Sequence, residues 1–233
     1  MTDGLFDLSG KTACVTGASA GLGEYAARFL VQRGVAVVGV ARRGDRLQQW
    51  RQASGGRTAA VVADLSDTAA VPDVARQVCA AFGPPDILIN AAGINTRQAA
   101  GEVTPQGWAV TLDLNLTTPF FLAQNFAEMM QDKGWGRIIN FASLQTFRAF
   151  PGGIAYGASK AGVAQMTRAM AEAWSPFGIN ANAIAPGFFK TELTAAVFDD
   201  SERSARNAAQ TCIGRNGVVE DLAGPLQFLC SDA

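Results

Sequence analysis

The chain contains no histidine. That absence removes Ser-His-Asp and Cys-His nucleophilic machinery and every histidine-ligated metal site. Proton chemistry falls to Tyr, Lys, Asp, Glu, Cys or water. Cysteine is sparse too: Cys14, Cys79, Cys212 and Cys230 stand far apart with no C-x-x-C spacing, so neither zinc nor dithiol redox chemistry is suggested. No metal is expected, and Cys14, inside an apolar run, reads as a buried inert thiol. The 233 residues sum to a net charge of -1 with no block of one sign, whereas a nucleic-acid partner would need a basic stripe. No apolar run reaches the roughly 18 residues of a membrane span. The start, Met1-Thr2-Asp3-Gly4, lacks the basic and apolar regions of a secretory signal. The reading is a cytoplasmic protein with no nucleic-acid and no membrane partner.

What is present is a regular alternation. Apolar residues make up 48% of the chain and charged ones 17%, enough for a large core under a modest charged surface. Strands are expected at Thr12–Thr16, Ala36–Val40, Ala59–Ala63, Ile87–Asn90, Arg137–Phe141 and Asn180–Ala185. Their apolar side chains are continuous, as in strands covered on both faces. Helices are expected at Leu22–Gln32, Asp45–Ala53, Thr68–Phe82, Thr104–Gln131 and Ala155–Trp174, with Thr104-Pro105 as a helix start. Short turns join them, giving a doubly wound, Rossmann-type α/β parallel sheet with helices on both faces. Residues 1–233 read as a single domain, with no internal repeat or linker.

The first strand runs into Thr16-Gly17-Ala18-Ser19-Ala20-Gly21-Leu22-Gly23 and then a helix. A glycine-rich turn there brings free backbone N–H groups and a helix N-terminus against a phosphate. Gly17, Ser19, Ala20, Gly21, Leu22 and Gly23 are therefore candidate cofactor contacts. Where the second strand ends, an acidic residue would bind a ribose 2′-hydroxyl and an arginine a 2′-phosphate. The sequence there is Ala41-Arg42-Arg43, which favours NADP over NAD; the plainer alternative is that both arginines solvate a helix start.

Tyr156-Gly157-Ala158-Ser159-Lys160 opens a helical stretch, and residues four apart share a face. A lysine ammonium beside the phenol would stabilise phenolate and lower its pKa from about 10. The product is a group that protonates a carbonyl or deprotonates an alcohol. With Tyr25 and Tyr156 the only tyrosines, chance pairing is unusual. Ser143, after the fifth strand, is at the sheet edge where its hydroxyl would orient the substrate oxygen.

Across essentially its whole length the sequence resembles the short-chain dehydrogenase/reductase family. The matching motifs are Thr16 to Gly23, Asp64-Leu65, Asn90-Ala91-Ala92-Gly93, Asp113-Leu114-Asn115, Ser143, Tyr156 to Lys160, and Pro186-Gly187 with Phe189 and Thr191. The resemblance implies an adenine contact from Asp64 beside Leu65, and a cofactor wall at Asn90, Ala91 and Gly93. It implies a water held by Asn115 in a proton relay through Lys160, and nicotinamide ribose hydroxyls on Lys160 beside Tyr156. Pro186, Gly187, Phe189 and Thr191 belong to the segment that contacts nicotinamide and phosphates in the family. Ala91 replaces the family's second Asn, and Ala20 stands where many NADP-preferring members are basic. By the same resemblance, helices Thr104–Gln131 and Ala155–Trp174 pair across dimer faces in a homodimer or homotetramer. The family runs on into a seventh strand; here Leu222–Leu229 reads as a helix with no strand after it, so the C-terminal strand is expected to be missing.

The substrate loops are expected at 94–97, 144–154 and 187–212. Asn95, Arg97, Gln145 and Arg148 are the polar candidates, beside Phe147, Phe150, Phe188 and Phe189. An arginine would grip a carboxylate, making the substrate a keto or hydroxy sugar acid, as in the gluconate and deoxygluconate 5-dehydrogenases the chain is similar to. Phenylalanines would favour an apolar ketone, as in the similar 3-oxoacyl-carrier-protein reductases. A regulator that senses NADP without catalysis is the other class; the intact Ser143, Tyr156 and Lys160 argue against it.

Overall fold

A computed structural model describes residues 4–233. Six strands form one parallel sheet: β1 Thr12–Thr16, β2 Ala36–Ala41, β3 Thr58–Val62, β4 Ile87–Asn90, β5 Gly136–Phe141 and β6 Ile179–Ile184. Their order is β3-β2-β1-β4-β5-β6. The two halves run outward from β1 and β4, so the connection reverses between those strands. A crevice opens there at the carboxyl ends, where ligands of such sheets bind.

Strand β2 and the Ile87–Ile89 run of β4 are apolar and buried throughout because successive side chains enter different layers. In β4, Ile87 and Ile89 join the layer that includes Val15, Phe29, Leu30 and Trp50. Leu88 joins Cys14, Val38, Phe126, Met130 and Ile138 on the other side. The first layer is covered by α1 (Gly21–Gln32), α2 (Gly44–Ser54) and the late helix α9 (Ala223–Cys230), the second by α3 (Val71–Phe82), α5 (Thr118–Lys133) and α6 (Ile154–Trp174), with α4 (Pro105–Leu112) packed against α6. Each wholly buried Leu, Ile or Phe contributes about 1.5–3 kcal/mol of transfer free energy.

Two departures from the expected elements bear on the site. The helix expected over Thr104–Gln131 is interrupted by a π turn at Asp113–Thr117. Such turns break the regular hydrogen-bond ladder and recur at functional positions. The loop expected at 187–212 carries two helices, α7 (Ala195–Phe198) and α8 (Ser201–Ala209). Asp200 caps α8 by accepting from the Arg203 N–H at 2.9 Å.

Among the described residues the sheet ends at β6, and no seventh strand follows. The last residues are tied to β5: Arg137 Nε donates to the Ser231 carbonyl at 2.9 Å, and Trp135 Nε1 to Asp232 at 2.6 Å. Among the described residues no helix is long and apolar enough to cross a membrane.

Candidate active site

A groove of about 570 Å³ lies along the carboxyl ends of the strands. One wall is the turn from β1 into α1. Gly17 there has φ +73, and a Cβ on it would stand 2.9 Å from the Ala92 backbone nitrogen. A Cβ on Gly23 would stand 2.5 Å from the Gly17 carbonyl oxygen and 3.0 Å from that of Thr16. Helix and strand therefore meet closer than any side chain allows. Ala20, at the start of α1, offers no side-chain cap, so the first N–H groups of α1 lack the usual side-chain acceptor. A glycine cradle with an uncapped helix start fits a dinucleotide pyrophosphate. Ser19, Ala20, Gly21 and Leu22 line the groove with these two glycines.

Further along are Arg42 and Arg43, with Asp64 and Leu65 opposite. Arg42 stands 3.9 Å from Asp64, both well exposed. Asp64 spends one carboxylate oxygen on the Ser66 N–H and hydroxyl, at 3.0 and 2.8 Å. Those bonds, offset in part by burial, hold its pKa below the usual carboxylate value. Arg43 reaches Glu192 at 2.8 Å and the Ser19 hydroxyl at 3.3 Å. Ala91 and Gly93 line the next stretch, and Pro186, Gly187, Phe189 and Thr191 close the far wall.

Two residues expected at the groove stand behind it. Asn90 is buried and donates to Asn140 at 2.9 Å and to the Pro119 carbonyl at 3.3 Å; it braces β4 against β5 and α5. Asn115, on the π turn, accepts from the Ile94 N–H at 2.9 Å and donates to the Ile94 carbonyl and Ser159 hydroxyl at 2.9 and 3.0 Å. It thus fixes the loop after β4 to α6, and its amide N–H groups are committed.

Ser143, Tyr156 and Lys160 all line the groove floor. A 3-10 turn at Leu144–Thr146, capped by Ser143, aims that serine, and the α6 helical period places Lys160 one turn beyond Tyr156. Burial pushes the Tyr156 phenol above its ordinary value; hydrogen bonding with Ser143 and the Arg97 charge pull it partly back. The lysine effect expected from the sequence is absent in this arrangement. Lys160 Nζ donates to the Phe141 carbonyl at 2.6 Å and stands 5.7 Å from the tyrosine ring centre. Its own burial brings it down from 10.5 to about 8.

That depression has a measurable consequence. Between pH 8 and 10.5 the unfolded chain carries a proton on Lys160 that the native state has lost. Native stability therefore rises with pH across that window, while below pH 8 both states are charged and the penalty persists in full. Relative to Lys160→Met, the wild type is expected to gain about 3 kcal/mol over that window, read from urea melts at fixed pH. A flat difference would mean Lys160 keeps the solvation of an ordinary lysine.

At the substrate end, Asn95, Arg97 and Gln145 line the groove. Arg97 is the one described non-glycine residue with positive φ, at 52°, held by its N–H on the Asn95 side chain at 3.0 Å. Arg148 does not join them. It points out of the groove to Gln210 at 3.3 Å and over the Phe150 ring, because the turn after Leu144–Thr146 faces solvent and Phe147 is 73% exposed. Glu192, Leu193, Val197 and Arg203 also line the groove, none of them among the site residues expected from the sequence. The helix-starting Asp200-Ser201-Glu202-Arg203 run was the available signal.

A dinucleotide-sized groove with a tyrosine, a serine and a lysine on its floor marks out an NAD(P)-dependent oxidoreductase of CH–OH groups. The sequence pattern of the short chain dehydrogenases matches residues 11–202. The chain is 38% identical over 232 residues to gluconate 5-dehydrogenase of Gluconobacter oxydans, covering 98% of this chain and 91% of that one. It is 39% identical over 234 residues to 2-dehydro-3-deoxy-D-gluconate 5-dehydrogenase of Escherichia coli, with the same coverage. The crystal structure of a gluconate 5-dehydrogenase from Burkholderia cenocepacia, in complex with NADP and tartrate, superimposes with a TM-score of 0.91. It is 35% identical, with 98% of this chain and 91% of that chain covered. The chain belongs to the short-chain dehydrogenase family.

Proposed function

We propose that the protein interconverts a hydroxy and a keto sugar acid with NADP(H). The observation that carries this is Arg97: a cation at the substrate end, close enough to Tyr156 to bias its proton. Among the described residues it has no carboxylate partner, its guanidinium meeting only the Leu193 carbonyl at 2.6 Å. A substrate carboxylate would complete it with charge-assisted hydrogen bonds. Arg42 and Arg43 support NADP, since guanidinium suits a 2′-phosphate, and the Burkholderia cenocepacia relative holds NADP and the hydroxy acid tartrate.

Once bound along the groove, the dinucleotide would supply or accept the hydride. Tyr156 Oη moves the proton at the substrate oxygen, and Ser143 Oγ donates to that oxygen as negative charge develops. Lys160 holds hydroxyls beside Tyr156 and feeds the proton path, while Asn115 fixes the loop that carries Arg97. The unbridged Cys14, Cys79, Cys212 and Cys230 accord with a reducing, cytoplasmic setting. We assign a homodimer or homotetramer, covering the exposed Trp108 and Phe121 of α4 and α5.

Two measurements test the reading. Thermal shifts with NADP and NAD side by side are expected to favour NADP. Turnover of D-gluconate with NADP is then expected to exceed that of the uncharged hexitol at least tenfold in kcat/KM. Equal or faster turnover of an apolar ketone would overturn the acid substrate; a shift with NADP but no turnover of any alcohol would leave a sensor.

A further inference from the structure

The segment after Gly187 is held down at both ends of the groove. Adjacent residues do the holding: Glu192 pairs with Arg43 at 2.8 Å, and the Leu193 carbonyl accepts from Arg97 at 2.6 Å. Beside them, the Thr191 side chain stands 3.3 Å from where a Gly21 Cβ would lie, so this strap already rests on the phosphate turn. A capped turn stiffens it, with the Thr191 N–H on the Thr194 hydroxyl at 3.0 Å and that hydroxyl also bonded to the Phe189 carbonyl.

The Arg43 guanidinium, placed to receive a 2′-phosphate, is thus already engaged by a carboxylate. Ser19 meets the same guanidinium at 3.3 Å, so Arg43, Ser19 and Glu192 form one polar cluster across the groove. We infer that Glu192 is a cofactor-specificity residue: its carboxylate stands in for the 2′-phosphate on Arg43, and the phosphate must displace it. Two costs then fall on NADP alone: loss of the Arg43–Glu192 pair, and repulsion between the arriving phosphate and the carboxylate. NAD, whose 2′-hydroxyl is neutral, leaves the pair in place. Glu192 therefore narrows the preference for NADP that Arg42 and Arg43 create. Because Arg43 is 43% and Glu192 57% exposed, the effect is modest and screened by salt.

The inference rests on the NADP reading above, and titration calorimetry separates the two. Wild type and Glu192→Gln are each titrated with NADP, NAD and adenosine 2′,5′-bisphosphate, at low and high salt. The Gln variant is expected to bind NADP and the bisphosphate about fivefold more tightly, with NAD changed less than twofold and the gain shrinking at high salt. Glu192→Ala should move in the same direction. If wild type binds NADP no better than NAD, the NADP reading fails. If wild type prefers NADP but neither variant tightens it, or both weaken it, Glu192 instead orients Arg43 and the inference is overturned.

Discussion

Tyr156→Phe is expected to lower kcat about a thousandfold, within the usual range for loss of a positioned acid–base group, while NADP binds as before. The change removes only Oη. The ring remains in its half-buried place on α6, so packing is kept. No histidine or second tyrosine can take over: the chain has no histidine, and its other tyrosine, Tyr25, sits on α1. Burial already holds the Tyr156 phenol above its ordinary value, so alcohol oxidation should also rise with pH in the wild type as phenolate forms. That rise should vanish in the variant. Steady-state rates across pH with calorimetric NADP binding make the check. A variant within tenfold of wild type, with the pH limb intact, would show that the proton moves elsewhere.

Gly23→Ala is expected to cost about 3 kcal/mol of stability, as overpacking into a rigid contact does, and to weaken NADP binding about a hundredfold. The obstacle is backbone: the new Cβ would stand 2.5 Å from the Gly17 oxygen and 3.0 Å from the Thr16 oxygen. No rotamer change relieves that, so α1 must move off β1, and its N-terminal N–H groups move off the phosphate position. Gly224→Ala on α9 is the control, because a Cβ there meets nothing within 4 Å. A urea melt and an NADP titration of both variants decide it. Wild-type affinity in Gly23→Ala would mean that the turn does not carry the phosphates.

The parts most legible in the sequence were those whose physics is local. Continuous apolar strands are the mark of a sheet covered on both faces, and β1 to β6 stand within a residue or two of their expected bounds. The glycine-rich turn and the Tyr156–Lys160 spacing also depend on neighbours in sequence. The misreadings share a different cause. Asp113-Leu114-Asn115-Leu116-Thr117 is ordinary helical sequence; its π turn lets Asn115 reach Ile94 and Ser159, partners remote in the chain. Lys160 was expected to lower the Tyr156 pKa on spacing alone, but the nearest acceptor is the Phe141 carbonyl of β5. Arg148 shares its loop with groove residues, yet direction within a turn depends on what packs beneath it, and its side chain runs to Gln210. Asn90 came from the family motif, which marks positions without separating a groove wall from the brace behind it.

The strand order also bears on how the chain assembles. β1 pairs β2 and β2 pairs β3 at modest separation in sequence, whereas β1 meets β4 by joining Ala13–Thr16 to Ile87–Asn90. Contacts at such separation carry the larger loop-closure cost and form late. The glycine turn after β1 and the Ala91–Gly93 wall after β4 face each other only once that junction has closed. A nucleotide lying across it acts as a staple over a seam that closes late. Its first effect on a refolding sample should be to slow the seam's reopening rather than to hasten the formation of either half.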